Sequence, residues 1–176
     1  MSAPCLAVTL GDPAGIGPEI IAKAWTALRE TGPAFVVVGD GQSLAAAGAP
    51  IQRLGSPQGA ADAFARRLPV IDLALPAPVA PGRPTSDAAP LVVRWIETAV
   101  SLALAGTVGA VVTAPIAKSV LYAGGFSHPG HTELLGELTA KAPVKGMRGP
   151  VMMLAAQDLR CASPPSTSPW RGFRDS

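Results

Sequence analysis

Four short apolar runs alternate with stretches of helical period, and this alternation limits the possible folds more than any other feature. Leu6-Ala7-Val8-Thr9-Leu10 ends in a glycine, and Phe35-Val36-Val37-Val38 is stopped by Gly39-Asp40-Gly41. Val70-Ile71-Asp72-Leu73 precedes a Pro- and Gly-rich stretch at 76–84, and Gly109-Ala110-Val111-Val112-Thr113 runs into Ala114-Pro115. Short, nearly continuous apolar runs are the pattern of strands buried on both faces. A fifth run, Val151-Met152-Met153-Leu154-Ala155, reads as another buried strand.

The segments between the runs read as helices. Pro18 suits a first helical position and Glu19 a first turn. That helix is expected to reach about Glu30, with Ile16, Ile20, Ala24 and Ala27 on one face and Thr31-Gly32-Pro33 as its stop. A short helix is expected around Ser43 to Ala47, while residues 49–68 carry no clear period. Ser86 or Asp87 is placed to cap a helix over about Ala88 to Ala105. There Leu91, Trp95, Thr98, Ala99 and Leu102 follow helical spacing, Trp95 reads as core, and Gly106 ends the helix. Further helices are expected from Ile116 to Tyr122 and up to about Lys141. Strands alternating with helices predict an α/β fold, a mostly parallel sheet flanked by helices on both faces. A length of 176 residues allows one domain, or one domain and a piece of another.

Composition removes several classes of function. The net charge is +2 with no basic block, and the single Tyr and four Phe do not interleave with basic residues. Neither a nucleic-acid surface nor a base-stacking platform is expected. Cys5 and Cys161 lie at opposite ends, with no metal-type spacing and no disulfide framework. No signal peptide is evident and no stretch approaches a membrane span, so a cytoplasmic protein is expected.

Chemistry concentrates in Phe126-Ser127-His128-Pro129-Gly130-His131-Thr132-Glu133, which holds both histidines. Pro129-Gly130 signals a turn, so His131 and Thr132 should lie where a loop enters a helix. A helix start offers unpaired N–H groups and partial positive charge. An imidazole and a hydroxyl placed there suit an anionic, hydroxylated small molecule. The plainer alternative is a histidine that satisfies a turn and a threonine that caps a helix. Gly11-Asp12-Pro13-Ala14-Gly15-Ile16-Gly17 is either a phosphate cradle or a tight corner whose glycines permit close packing. Its spacing matches neither G-x-G-x-x-G nor a P-loop. Lys118 either faces a ligand near a strand's carboxyl end or is a solvated surface lysine. Asp40 is the one residue placed to hold a ribose in a plain Rossmann-type nucleotide binder.

Four motifs occur together and in order: Gly11-Asp12-Pro13-Ala14-Gly15-Ile16-Gly17-Pro18-Glu19, Thr113-Ala114-Pro115-Ile116-Ala117-Lys118, Gly130-His131-Thr132-Glu133 and Val151-Met152-Met153-Leu154. With them, over about residues 6–160, the chain resembles the 4-hydroxythreonine-4-phosphate dehydrogenase family of pyridoxine biosynthesis. The resemblance implies a homodimer of two-lobed subunits, like isocitrate and isopropylmalate dehydrogenases. It implies NAD or NADP and a divalent metal (zinc, magnesium or cobalt). The implied reaction oxidises 4-phosphooxy-L-threonine at C3, and loss of CO2 then gives 3-amino-2-oxopropyl phosphate. The family's substrate-contacting histidine and threonine fall on His131 and Thr132. A paralogue acting on another four-carbon hydroxy acid phosphate would keep the same motifs, and so would a non-catalytic ligand-binding remnant.

The chain also departs from this family. The family's three metal-binding histidines lie after the Val-Met-Met-Leu strand, and no histidine follows His131 here. The carry-over therefore yields no metal ligand, and the expected fold is incomplete. After Arg160 the strand and helix periods vanish. Back-translated with GC-rich codons and read one base earlier, residues 161–176 allow a continuation containing Thr-Ile-His-Leu-Pro, close to the family's metal-binding segment. The expectation is a dehydrogenase part over 1–160 and an out-of-frame, disordered tail over 161–176. The chain alone is then expected to be inactive and poorly folded.

Overall fold

A computed structural model describes residues 4–128, 130–143 and 151–163. The chain divides into two compact units, Met1–Ser127 and His128–Ser176. The first unit is a five-stranded sheet with its helices. Its strands are β1 (Leu6–Thr9), β2 (Phe35–Gly39), β3 (Ile51–Leu54), β4 (Leu68–Asp72) and β5 (Val111–Thr113), in the order β3-β4-β2-β1-β5. Every pairing is parallel, with Val8 level with both Val37 and Val112. The helices are α1 (Gly17–Leu28), α2 (Gly41–Ala46), α3 (Ala60–Phe64), α4 (Ala89–Leu104) and α5 (Lys118–Ala123). Crossovers between parallel strands are right-handed, so α1 and α4, whose connections run in opposite directions along the sheet, cover opposite faces.

The parallel sheet explains the apolar runs. All five residues of β2 are buried, because the strand is central and covered on both sides. Trp95 is fully buried, as its sequence context predicts, and its Nε1 donates to the Leu73 carbonyl at 2.9 Å. Trp25 of α1 is also buried, and its Nε1 donates to the Phe64 carbonyl at 2.8 Å. Each indole therefore combines a large apolar body with a satisfied polar tip. Phe35 and Phe64 meet edge to face, with ring centroids 4.7 Å apart.

Several expectations are corrected. Ile16, Ile20, Ala24 and Ala27 do share one face of α1, and it is the outer one, with Ile16 and Ile20 exposed. Pro18, Ile21, Ala22 and Trp25 are buried instead. Alanine-rich helices carry two apolar stripes, and periodicity alone does not choose between them. In α4 the buried set is Ala89, Val92, Trp95, Ile96, Ala99 and Val100, so Leu91, Thr98 and Leu102 only flank the core. Neither Ser86 nor Asp87 caps α4 by a side chain. A 3-10 turn, Ser86–Ala88, leads directly into it. Strand β3 and helix α3 fall where no period was visible. β3 exposes Gln52 and Arg53 at the sheet edge and has neither a continuous apolar run nor strict alternation.

The second unit holds α6 (His131–Leu138) and two strands, β6 (Met152–Ala156) and β7 (Leu159–Ser163). The strands form an antiparallel hairpin across a turn at Gln157, whose φ is +48°. The buried strand expected at Val151–Ala155 is therefore a correction, because β6 is exposed along its whole length. A two-stranded hairpin has no central strand, and among the described residues no layer covers either face of this one. The sequence division at Arg160 falls inside β7, and residues 164–176 lie outside the described residues. Among the described residues, no helix is long and apolar enough to cross a membrane.

Candidate active site

The glycine before α6 sets the geometry of the helix start. Gly130 is buried and fully extended, at φ −170° and ψ −178°, a conformation open to any residue. A Cβ here would lie 2.7 Å from Glu133 Oε2, the far end of a flexible side chain that could move aside. The Glu133 carboxylate thus sits over the helix start, where a negative charge is favoured by the backbone dipoles. No side chain caps the helix. Leu134 is buried and anchors the first turn.

His131 is the first residue of α6 and Thr132 the second, both half-buried. Both ring nitrogens of His131 are shielded from water, and neither has a hydrogen-bond partner among the described residues. Burial pushes the imidazole pKa below its ordinary value, because a charged ring loses solvation there. Near neutral pH the ring is therefore uncharged, with one N–H donor and one bare acceptor nitrogen. A turn-satisfying histidine would have used at least one of them. Thr132 lies inside the helix, so it is not the cap that the plainer sequence reading offered.

The second histidine is differently engaged. His128 Nε2 lies 2.8 Å from Glu137 Oε2, which ties the turn to the C-terminal half of α6. Sequence reasoning missed this pair, because a nine-residue separation across a Pro-Gly turn has no local signature. The position of Glu133 was also missed, although its place three residues after Gly130 fits an acidic first turn.

The remaining candidates lie in the first unit. The glycine-rich corner uses its own amides: Ala14 N donates to Asp12 Oδ1 at 2.9 Å and Gly15 N to the Asp12 carbonyl at 3.0 Å. A Cβ on Gly17 would lie 2.1 Å from the Leu10 carbonyl oxygen. Of the two readings of this corner, close packing is the one its geometry carries. Asp40 is buried, accepts from Ser43 N at 2.7 Å and Ser43 Oγ at 2.6 Å, and takes the Leu75 amide at 3.1 Å. Both carboxylate oxygens serve the fold, which leaves none for a ribose. Lys118 is exposed at the start of α5. Among the described residues, no group of three or more His, Cys, Asp or Glu is placed to hold a metal ion. These residues do not fit a metal centre.

Comparison with known proteins gives the class first. The model for the pyridoxal phosphate biosynthetic protein PdxA matches residues 31–168. A 4-hydroxythreonine-4-phosphate dehydrogenase of Caulobacter vibrioides is 59% identical over 157 residues, which cover 88% of this chain and 47% of that protein. One from Maricaulis maris is 48% identical, over 88% of this chain and 48% of its own. The crystal structure of a 4-hydroxythreonine-4-phosphate dehydrogenase from Burkholderia phymatum superposes with a TM-score of 0.76 at 30% identity, covering 92% of this chain and 49% of that one. A parallel sheet of this order, leading to a helix that opens on His-Thr, is part of an α/β dehydrogenase-like fold. The chain belongs to the PdxA family and spans about half the length of the relatives it matches.

Proposed function

We propose that this chain carries the substrate-holding wall of a 4-hydroxythreonine-4-phosphate dehydrogenase. In this reading the whole enzyme oxidises 4-phosphooxy-L-threonine with NAD or NADP and a divalent metal. Decarboxylation then gives 3-amino-2-oxopropyl phosphate for pyridoxal phosphate synthesis. The observation that supports it is the neutral imidazole of His131, held at a helix start with both nitrogens unpartnered among the described residues. One ring nitrogen donates to an anionic or hydroxyl oxygen of the substrate, and the other accepts from a hydroxyl or ammonium group. The Thr132 hydroxyl adds a second, adjacent polar contact. The uncapped amides of α6 favour an anionic group beside them, while Glu133 repels a second anion and so limits which end of the substrate enters.

The described residues offer no metal cluster, and the glycine-rich corner and Asp40 are consumed by the fold. No chemical step is therefore assigned to this chain alone, and we infer that by itself it is inactive. A homodimeric, cytoplasmic whole enzyme remains part of the proposal.

Calorimetric titration with 4-phosphooxy-L-threonine tests the site. Weak binding is expected, lost in His131→Ala and weakened in Thr132→Val. Indifference of binding to both substitutions would sink the assignment. Turnover of NAD or NADP by the purified chain, with zinc, magnesium or cobalt supplied, would overturn the inactivity. Reading the DNA around the Arg160 codon tests the proposed change of frame.

A further inference from the structure

The ring nitrogens of His131 have no hydrogen-bond partner among the described residues, so the ring is aimed mainly by the backbone that carries it. That backbone is weakly fixed at its start. No side chain caps α6, and the residue before it is Gly130, extended at φ −170° and ψ −178°. Glycine has more conformational freedom than any other residue, so the chain can swing at the entrance to the helix. The Leu134 amide donates to the Gly130 carbonyl at 3.3 Å, which closes the first turn of α6 but does not fix the segment before it.

A side-chain contact spans this glycine. His128 Nε2 lies 2.8 Å from Glu137 Oε2, and a carboxylate only accepts, so Nε2 carries the proton. The donor stands before Gly130 and the acceptor in the last turn of α6. The contact therefore closes a loop around the glycine and sets the angle at which the chain enters the helix. The His128 side chain is 24% exposed and that of Glu137 72%. A pair this exposed adds little to stability. What it removes is freedom in the turn.

We propose that His128 is a positioning residue: through Glu137 it holds the Gly130 turn in the arrangement that presents the His131 ring and the Thr132 hydroxyl to a ligand. The inference rests on the substrate-holding role proposed for His131 and adds a residue that acts without touching substrate. A turn free to swing would have to be ordered when the ligand binds, and that ordering would weaken affinity. The His128–Glu137 contact orders it beforehand.

The test compares His128→Ala, Glu137→Ala, the double variant and His128→Gln, each in the full chain. Glutamine keeps an N–H donor for Glu137. Nuclear magnetic resonance without ligand reads the His131 ring directly. Its signals should shift toward those of a free imidazole in both alanine variants, and His128→Gln should restore them. In calorimetric titration with 4-phosphooxy-L-threonine, each alanine variant should bind about three- to tenfold more weakly. The double variant should be no worse than either single one, because both remove the same contact. Urea midpoints should stay near that of the parent, since the pair is exposed.

Ring signals and affinity unchanged in both alanine variants would overturn the proposal. So would additive losses in the double variant. A fall in urea midpoint large enough to account for the weaker binding would also overturn it, by making the pair a support of the fold. The ring signals need no substrate. A chain that fails to bind 4-phosphooxy-L-threonine would therefore count against the substrate-holding reading, and the ring signals alone would decide the role of His128.

Discussion

The backbone amide of Asp12 donates to the Pro115 carbonyl at 2.9 Å, and this bond joins two of the motifs that carry the family resemblance. Gly11 sits beside it at φ +74°, and a Cβ there would lie 2.5 Å from the same Pro115 oxygen. Gly11→Ala would strain the left-handed backbone by about 1–2 kcal/mol. It would also force apart a backbone contact, at about 1–3 kcal/mol. The expected loss is roughly 2–5 kcal/mol in urea unfolding. Gly48→Ala is the control. It has φ +88° but nothing within 4 Å of the added methyl, so only the backbone cost of about 1 kcal/mol should appear. Equal losses at both positions would refute the role given to the Asp12–Pro115 contact.

Trp95→Phe tests the centre of the core. The indole is fully buried between α4 and the sheet, and its Nε1 bonds the Leu73 carbonyl. Phenylalanine keeps most of the apolar area, leaves that carbonyl unpaired and opens a small void. The expected cost is about 2–3 kcal/mol. Leu104→Ala, on an exposed end of the same helix, should change stability by less than about 0.5 kcal/mol.

Asp40 makes a sharper test of what the carboxyl end of β2 is for. Its carboxylate caps α2 through Ser43 and also holds the Leu75 amide from the loop after β4. Asp40→Ala should cost about 2–3 kcal/mol, the sum of a lost cap and an unpaired amide. If the residue served a nucleotide ribose instead, the substitution would spare stability and weaken binding of NAD.

How much of this was legible beforehand follows from where each signal lives. The parallel sheet was readable, because β1, β2 and β4 are covered on both faces and leave near-continuous apolar runs. Edge strand β3 was not, since two of its four residues face water. Which apolar stripe of α1 is buried was not legible, because that depends on what else packs there, and the stripe of Ile16 and Ile20 is exposed. Met152, Met153 and Leu154 look like core in one dimension, yet they lie on an exposed hairpin, for burial is a property of neighbours. The helix start at His131 and Thr132 was legible from the Pro129-Gly130 turn. The availability of His131 for a ligand rests on the absence of internal partners for its ring nitrogens among the described residues, which no sequence reveals.

The titration of His131 gives the last prediction. Its pKa is lowered in the folded chain by desolvation, whereas the unfolded chain titrates near the ordinary value of about 6.5. Between those two values the unfolded state binds more protons, so stability rises with pH across that window. The contribution is fully present above the ordinary imidazole value. It is lost as pH falls through the folded one. Nuclear magnetic resonance of the ring protons between about pH 5 and 8 should show His131 titrating below the free imidazole. His131→Asn should remove the matching slope from the stability profile. An anionic ligand bound against the ring favours its charged form, so saturating 4-phosphooxy-L-threonine should move the titration back upward. A ring that titrates normally in the absence of ligand would show that the imidazole is not desolvated. One shifted down but unmoved by the substrate would separate the burial from the proposed binding role.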